Sequence, residues 1–372
     1  ILGYWYATNY GSALTYYALD YAIKKIGFST MIIDCPEKWN DPEGEDVFPR
    51  RFLKKHCIIS DSLDWDKIGE INNYCDTFVI GSDQVWTTSA TRGMRYLFYL
   101  NFINKEKRKV AYAPSFGSAS FEPDEGMKNK IDDLICQFDA ISVREDSGKT
   151  LLWDKFGIEA EHVLDPVFLM DNEEYDEIAA DSKLPLEKEK YILAYILDPT
   201  PDKEEAILKI ANKMNLPVKL VLDGRKGTFP YNKAKLQKLA DCAIGEMDVE
   251  DWIKYFRCAE YVITDSHHGM AMCIVFDKPF VVYANYQRGY ARFTSLLGLL
   301  NLTDILIQNS SELTIELLNK SIDYISAKKI LNDNIKKSYD WLRMSLNLNG
   351  KKNSIKYSFL VNNKCCGCSA CE

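Results

Sequence analysis

Two adjacent histidines are the residues of this chain best placed to do chemistry, because in YVITDSHHG, residues 261–269, they follow an apolar strand and open a helix. They are half of the four histidines present. Asp265 or Ser266 would cap the helix beginning near His268, and the freed backbone amides and the helix dipole favour an anion there. An imidazole beside a bound anion can move a proton. His268 is the catalytic candidate because the adjacent Gly269 admits close approach of a ligand, with Asp265 beside it. Ser266, His267 and Gly269 complete a donor-binding turn in which His267 packs or orients.

Other polar loops leave apolar runs in the same way. Arg144 follows the buried run AISV, where an unpaired guanidinium is costly, so it pairs with Glu145 or Asp165 or meets a ligand anion. It joins His268 and Asp265 as a catalytic candidate. Arg288 and Arg292 flank Tyr290 at a spacing suited to a carboxylate or phosphate. In GSDQVW, Gly81 allows a turn, Ser82, Asp83 and Gln84 suit sugar hydroxyls, and Trp86 offers a stacking face. Asn9, Tyr10 and Gly11, in the turn at residues 8–12, and Ser115, in SFG, belong to the same set of strand exits. Walker, GxGxxG and HExxH patterns are absent, so nucleotide-hydrolysis, dinucleotide and zincin readings have no support.

These loops need a scaffold of alternating strands and helices. The runs FVI, KVAYA, AISV and HVLDPVF alternate with helical patterns near residues 13–26, 127–138 and 149–156. YILAYIL restarts the alternation, followed by a helix at 202–214, the strand PVKLVLD, a helix at 249–257 and PFVVYA. Such alternation predicts α/β architecture with parallel, doubly wound sheets, whose ligands bind beyond the carboxyl ends of the strands. The expected division is an N-terminal domain at 1–170, a charged linker at 171–189, a C-terminal domain at 190–312, amphipathic helices at 313–348 and a cysteine-rich tail at 349–372.

At 372 residues and 47% hydrophobic composition the chain can bury two cores. Its net charge is −8, with basic and acidic residues interspersed, which argues against a nucleic-acid surface. No apolar run of membrane-spanning length and no secretory leader is found, so a cytoplasmic location is expected. Seven of the eleven cysteines are scattered singly from Cys35 to Cys273 in apolar segments, as reduced core thiols are. Cys365, Cys368 and Cys371 have the spacing of an incomplete iron–sulfur ligand set, for which a zinc knuckle or an unstructured tail is the alternative. The chain stops one residue later and opens on Ile1 without Met, which predicts a region of a longer protein.

Taken in order, TNYGSALTYYAL, VIGSDQVW, YAPSFG, SVRE, LDPVFL and DSHHG resemble the polysaccharide pyruvyl transferase family over about residues 1–310. The resemblance implies two Rossmann-like domains facing across a cleft, as in GT-B glycosyltransferases, with the acceptor on the N-terminal side and the donor on the C-terminal side. It implies transfer of pyruvate from phosphoenolpyruvate to two hydroxyls of a sugar in a surface or exopolysaccharide precursor, which gives a ketal and free phosphate. His268 matches the histidine of the family's DSxHG pattern and would be the general acid or base. Arg144, Arg292 and the helix amides at 267–269 would hold carboxylate and phosphate, and Asn9, Asp83 and Gln84 would face the acceptor. His267 departs from the family pattern, which often has an aromatic residue there, so the two histidines can share the role. No cofactor is implied for the transferase itself. A lipid-linked acceptor would bring the protein to a membrane surface peripherally. The tail resembles the start of a ferredoxin-like module, with a 4Fe–4S cluster in a longer chain. Two other readings are a nucleotide-sugar glycosyltransferase of GT-B type and a noncatalytic domain of a redox fusion protein.

Overall fold

The computed structural model describes residues 1–5, 9–34, 47–64, 66–118, 120–185, 189–223 and 227–347. Strands β1 (Thr77–Ile80), β2 (Arg108–Ala111), β3 (Ala140–Val143) and β4 (Glu161–His162) form a parallel sheet in that order. Beyond β1, Leu2 bridges Ile80, Ile33 N donates to Ile1 O at 2.8 Å, and Ile32 bridges Ile59. Chain order therefore reverses between the segment at Leu2 and β1. Strands β5 (Ile192–Ile196), β6 (Val218–Leu222), β7 (Ala243–Ile244), β8 (Tyr261–Thr264), β9 (Phe280–Tyr283) and β10 (Leu306–Ile307) form a second parallel sheet, ordered β10-β9-β8-β5-β6-β7. Its reversal lies between β5 and β8. Every residue of β5, β8 and β9 is buried, as expected for strands covered on both faces.

The helices are, in chain order, α1 (Tyr10–Ile26), α2 (Phe48–His56), α3 (Thr88–Gly93), α4 (Glu125–Ile135), α5 (Asp146–Phe156), α6 (Asn172–Ala180), α7 (Pro201–Met214), α8 (Thr228–Lys233), α9 (Val249–Cys258), α10 (His267–Val275), α11 (Ala291–Leu299), α12 (Ile315–Asn319) and α13 (Tyr324–Asn347). Local chemistry sets the ends of the most important ones. Asn9 caps α1 by accepting from Ser12 N, and Gly27 closes it in the left-handed region with Lys24 and Lys25 in the last turn. Ser266, rather than Asp265, caps α10, and all nine residues of that helix are buried.

The two halves are joined by more than the chain. Segment 171–189, expected as a linker, carries α6, which packs on α9 and hydrogen-bonds Tyr175 Oη to Val167 O at 2.6 Å. Helix α13 crosses back: Tyr324 Oη donates to Lys278 O at 2.6 Å in the second half, while Leu164 N donates to Ser338 Oγ at 3.0 Å in the first. Tyr10 is held between Phe48 and Trp252, with ring centroids 4.3 and 5.6 Å away, and its hydroxyl accepts from Met247 N at 3.1 Å. Among the described residues, no helix is long and apolar enough to cross a membrane.

Tyr10 thus pins α1 to α9. Tyr10→Ala is expected to lower stability by about 3–5 kcal/mol in a urea titration, as for other buried aromatics. Tyr10→Phe keeps the stack but strands the Met247 N–H, at a cost of about 1–3 kcal/mol.

Candidate active site

The carboxylate of Asp165, at the exit of β4, collects groups from both halves of the molecule. Its Oδ1 accepts from Val167 N at 3.2 Å, which fixes the following turn, and lies 3.4 Å from Thr15 Oγ1. Its Oδ2 accepts from Arg144 Nη1 at 2.7 Å and from Ser82 Oγ at 3.3 Å. His267 Nε2 and His268 Nε2 each stand 3.8 Å from that same oxygen, beyond hydrogen-bonding distance. His268 Nε2 is also 3.0 Å from Thr15 Oγ1. With the threonine hydroxyl given to Asp165, the His268 ring donates from Nε2 and keeps Nδ1 as its basic nitrogen.

Such proximity requires the first turn of α1 to lie against the first turn of α10. A Cβ on Gly11 would sit 2.1 Å from His268 Cγ, so glycine alone leaves room for the ring. Gly269 instead lets α10 pack on the second sheet, where a Cβ would meet Thr264 Oγ1 at 2.3 Å.

Burial controls the charges. It drives His267 down to about 3, assisted by the Arg144 guanidinium, and it lowers His268 despite the opposing pull of Asp165 and Asp83. Both imidazoles are neutral near pH 7. For Asp165, burial pushes upward, but His267, Arg144 and His268 outweigh it and hold the carboxyl well below the usual range. A neutral imidazole next to an ionised carboxylate has the protonation state that a general base requires.

Three arginines have unequal freedom. Arg144 is 4% exposed and faces Asp165, Glu145 (3.2 Å) and Asp83 (3.4 Å). Burial would lower it, yet these three carboxylates raise it above the ordinary guanidinium value. Arg288 clasps Asp198 through Nε and through Nη2 at 3.0 Å. Arg292, 7% exposed, has its nearest carboxylate oxygen, Asp83 Oδ1, at 3.9 Å, and its Nε has no partner among the described residues. Burial and the neighbouring Arg144 bring Arg292 down to about 10. Its Nη2 donates to the Arg288 carbonyl, and of these three arginines it is the least neutralised by carboxylates.

In front of this cluster is a cavity of about 750 Å³ between the two halves. Asn9, Ser12, Asp83, Gln84 and Phe116 line it from the first half, and Tyr286, Gly289, Tyr290 and Thr294 from the second. Asp83 belongs to both cavity and cluster, and its backbone is held at φ +77°, a strained conformation for a side-chain-bearing residue of the kind that gathers at functional sites.

A sequence profile for polysaccharide pyruvyl transferase matches residues 9–287, three quarters of the chain. The chain belongs to that family. No curated protein matches it in sequence. Among solved structures it is similar to a glycosyltransferase from Rickettsia africae, at 12% identity and a TM-score of 0.52 over 94% of this chain and 97% of that one. It is also similar to the UDP-GlcNAc 2-epimerase of Methanocaldococcus jannaschii, at 14% identity and a TM-score of 0.50, over 86% and 96%. These likenesses describe the fold, two facing α/β units of GT-B type.

In this member of the pyruvyl transferase family, several expected residues converge. His267, His268 and Arg144 gather at Asp165, Arg144 also reaches Asp83, Arg292 stands 3.9 Å from Asp83, and Asn9 and Gln84 line the cavity. Others are placed elsewhere. Asp265 is consumed by Leu197 N (2.7 Å), Asp198 N (3.1 Å), Lys203 Nζ (2.7 Å) and Asn285, so it braces the second sheet's loops instead of facing the histidines. Tyr10 is the interhalf pin, and Arg288 is held by Asp198. Ser82 and Ser115 are fully buried, bonded to Ala113 O and Gly117 N, and Ser266 is spent as the α10 cap. Trp86 offers no stacking face: it is fully buried, lies parallel to Tyr99 at 5.4 Å and donates to Phe98 O.

The scattered cysteines also differ from expectation. Cys273 is a buried thiol, but Cys136, Cys242 and Cys258 are exposed because they fall at the ends of helical turns, and Cys35 lies outside the described residues. Cys365, Cys368 and Cys371 lie outside them too. Among the described residues, no group of three or more His, Cys, Asp or Glu is placed to hold a metal ion. Asp165 itself was visible only as a strand-exit acid and a partner for Arg144. Thr15 carried no signal, being one polar residue inside an amphipathic helix.

Two outcomes follow from this geometry. His267 folds to a value near 3 from an ordinary 6.5, so the unfolded chain binds the extra proton between those limits and stability falls as pH drops through that window. The loss between pH 7.5 and 5 is about 2 kcal/mol, and His267→Phe should flatten that part of a urea-stability profile. Gly11→Ala should cost about 1–3 kcal/mol by overpacking and displace the His268 ring, which a shift of its imidazole NMR signals would report.

Proposed function

We propose that this chain transfers pyruvate from phosphoenolpyruvate to two hydroxyls of a sugar in the precursor of a surface or exported polysaccharide. The observation that carries the reading is a neutral buried histidine beside Asp165 and Thr15, together with an underpaired buried arginine, both behind Asp83, which lines a cavity shared by both halves. His268 would accept a proton from one sugar hydroxyl and return it to the methylene carbon of the donor, which becomes the methyl group. Carbon 2 then carries positive character and takes the hydroxyl oxygen. The second hydroxyl closes the ketal as the carbon–phosphate oxygen bond breaks, and its proton leaves with the phosphate.

Arg292 and the amides opening α10 suit the donor's carboxylate and phosphate, whose charge builds as the bond breaks. Arg144 acts at one remove by fixing Asp165 and Asp83. Burial of the base keeps it unprotonated at neutral pH, and a bound phosphate would raise its affinity for the proton it must carry.

Phosphate release from phosphoenolpyruvate in the presence of an acceptor glycan measures this directly. His268→Ala should lower kcat by about 10²–10⁴, and Arg292→Ala should raise KM for phosphoenolpyruvate about tenfold or more. Failure of the wild-type chain to bind phosphoenolpyruvate in calorimetry and to release phosphate with any acceptor would sink the proposal.

A further inference from the structure

The aromatic face expected from Trp86 is present in this molecule at another place. Tyr286 and Tyr290 lie on the turn after β9, with ring centroids 4.6 Å apart and planes 17° from parallel. Tyr286 is 58% exposed, although both rings line the interhalf cavity. The stack is held from behind, because Gln84 Nε2 donates to Arg288 O at 3.1 Å and Gly289, at φ +96°, lies so close to Gly117 that a Cβ would stand 2.1 Å from its carbonyl oxygen. The platform is therefore fixed in place by the opposite half.

We infer that Tyr286 and Tyr290 form the stacking platform of the acceptor subsite, and that this subsite takes the uncharged rings of an oligosaccharide. An inference of this kind rests on the pyruvyl-transfer reading, which requires a sugar acceptor. A pyranose presents an apolar C–H face and a rim of hydroxyls. The open face of Tyr286 matches the first, and Thr87, Ser89, Gln84 and Thr294 on the remaining walls match the second.

Charge and volume narrow the ligand. Among the described residues that line the cavity, Asp83 is the ionised side chain and no Lys or Arg is present. Arg292, behind Asp83, would be taken by the donor, so a phosphate on the acceptor would find no further guanidinium or ammonium among the described lining residues, whereas neutral hydroxyls would find hydroxyl and amide partners. The cavity's 750 Å³ also exceeds the needs of a single hexose and falls in the range of about 300–1,000 Å³ that holds larger small-molecule ligands.

A glycan array carrying neutral and phosphorylated oligosaccharides, followed by saturation-transfer difference NMR on the best neutral ligand with UMP as control, tests the subsite without any donor present. Neutral oligosaccharides should bind, with signal transferred along one ring face. Tyr286→Ala and Tyr290→Ala should weaken binding about tenfold, and Tyr286→Trp should retain it. Melting curves confirm that each variant is folded. Unchanged affinity in both alanine variants, binding confined to phosphorylated glycans, or no binding of any neutral glycan by the wild-type chain would overturn the inference. The two readings fail separately: saccharide binding without phosphoenolpyruvate turnover removes the chemistry and keeps the platform, whereas turnover with an acceptor KM untouched in Tyr286→Ala removes the platform alone.

Discussion

A single buried carboxylate sets the conditions for everything around it. Asp165 is 2% exposed, and an ionised group so far from water persists only when several donors share its charge. Arg144, Ser82 and Val167 meet it from the first half, and the two histidine rings approach from the second. Asp165 is therefore a point where groups of both halves meet. This meeting explains why α1 has glycine at its second position, since the His268 ring must pass within van der Waals distance of the helix backbone to reach Thr15.

The arginines illustrate how sequence proximity and electrical availability differ. Arg144 is shared among three acids, while Arg288 is occupied by Asp198. Arg292 is less well paired than either, and its reduced proton affinity reports the same condition. A cation kept underpaired in a buried place raises the free energy of the empty site. An anion that neutralised it would recover that free energy on binding.

Much of this was legible in the sequence because it follows from local rules. Alternating apolar runs and amphipathic helices announced parallel sheets, and the strand-to-helix turn at DSHHG announced the capped start of α10. What escaped depends on contacts remote in sequence. The hydroxyl of Tyr10 meets Gly245, 235 positions away, and Asp265 is occupied by Lys203, 62 positions away, so neither fate could be read from neighbours. Local pattern also could not tell which face of Trp86 would be covered. Asp165 stands before a proline at a strand exit, where an acid normally only caps a turn, and its wider role emerges once two halves are brought together.

The return of α13 across the first sheet has a consequence for biosynthesis. Leu164 finds the Ser338 hydroxyl across 174 residues of chain, and Tyr112 finds Trp341, with rings 5.9 Å apart, across a longer interval. At about 5–20 residues per second the ribosome needs roughly 9–35 s to deliver that helix after Leu164 has emerged. The nascent first half spends that interval with the α13-binding face of its sheet uncovered. The order of assembly on the ribosome thereby becomes part of what this fold demands of the cell.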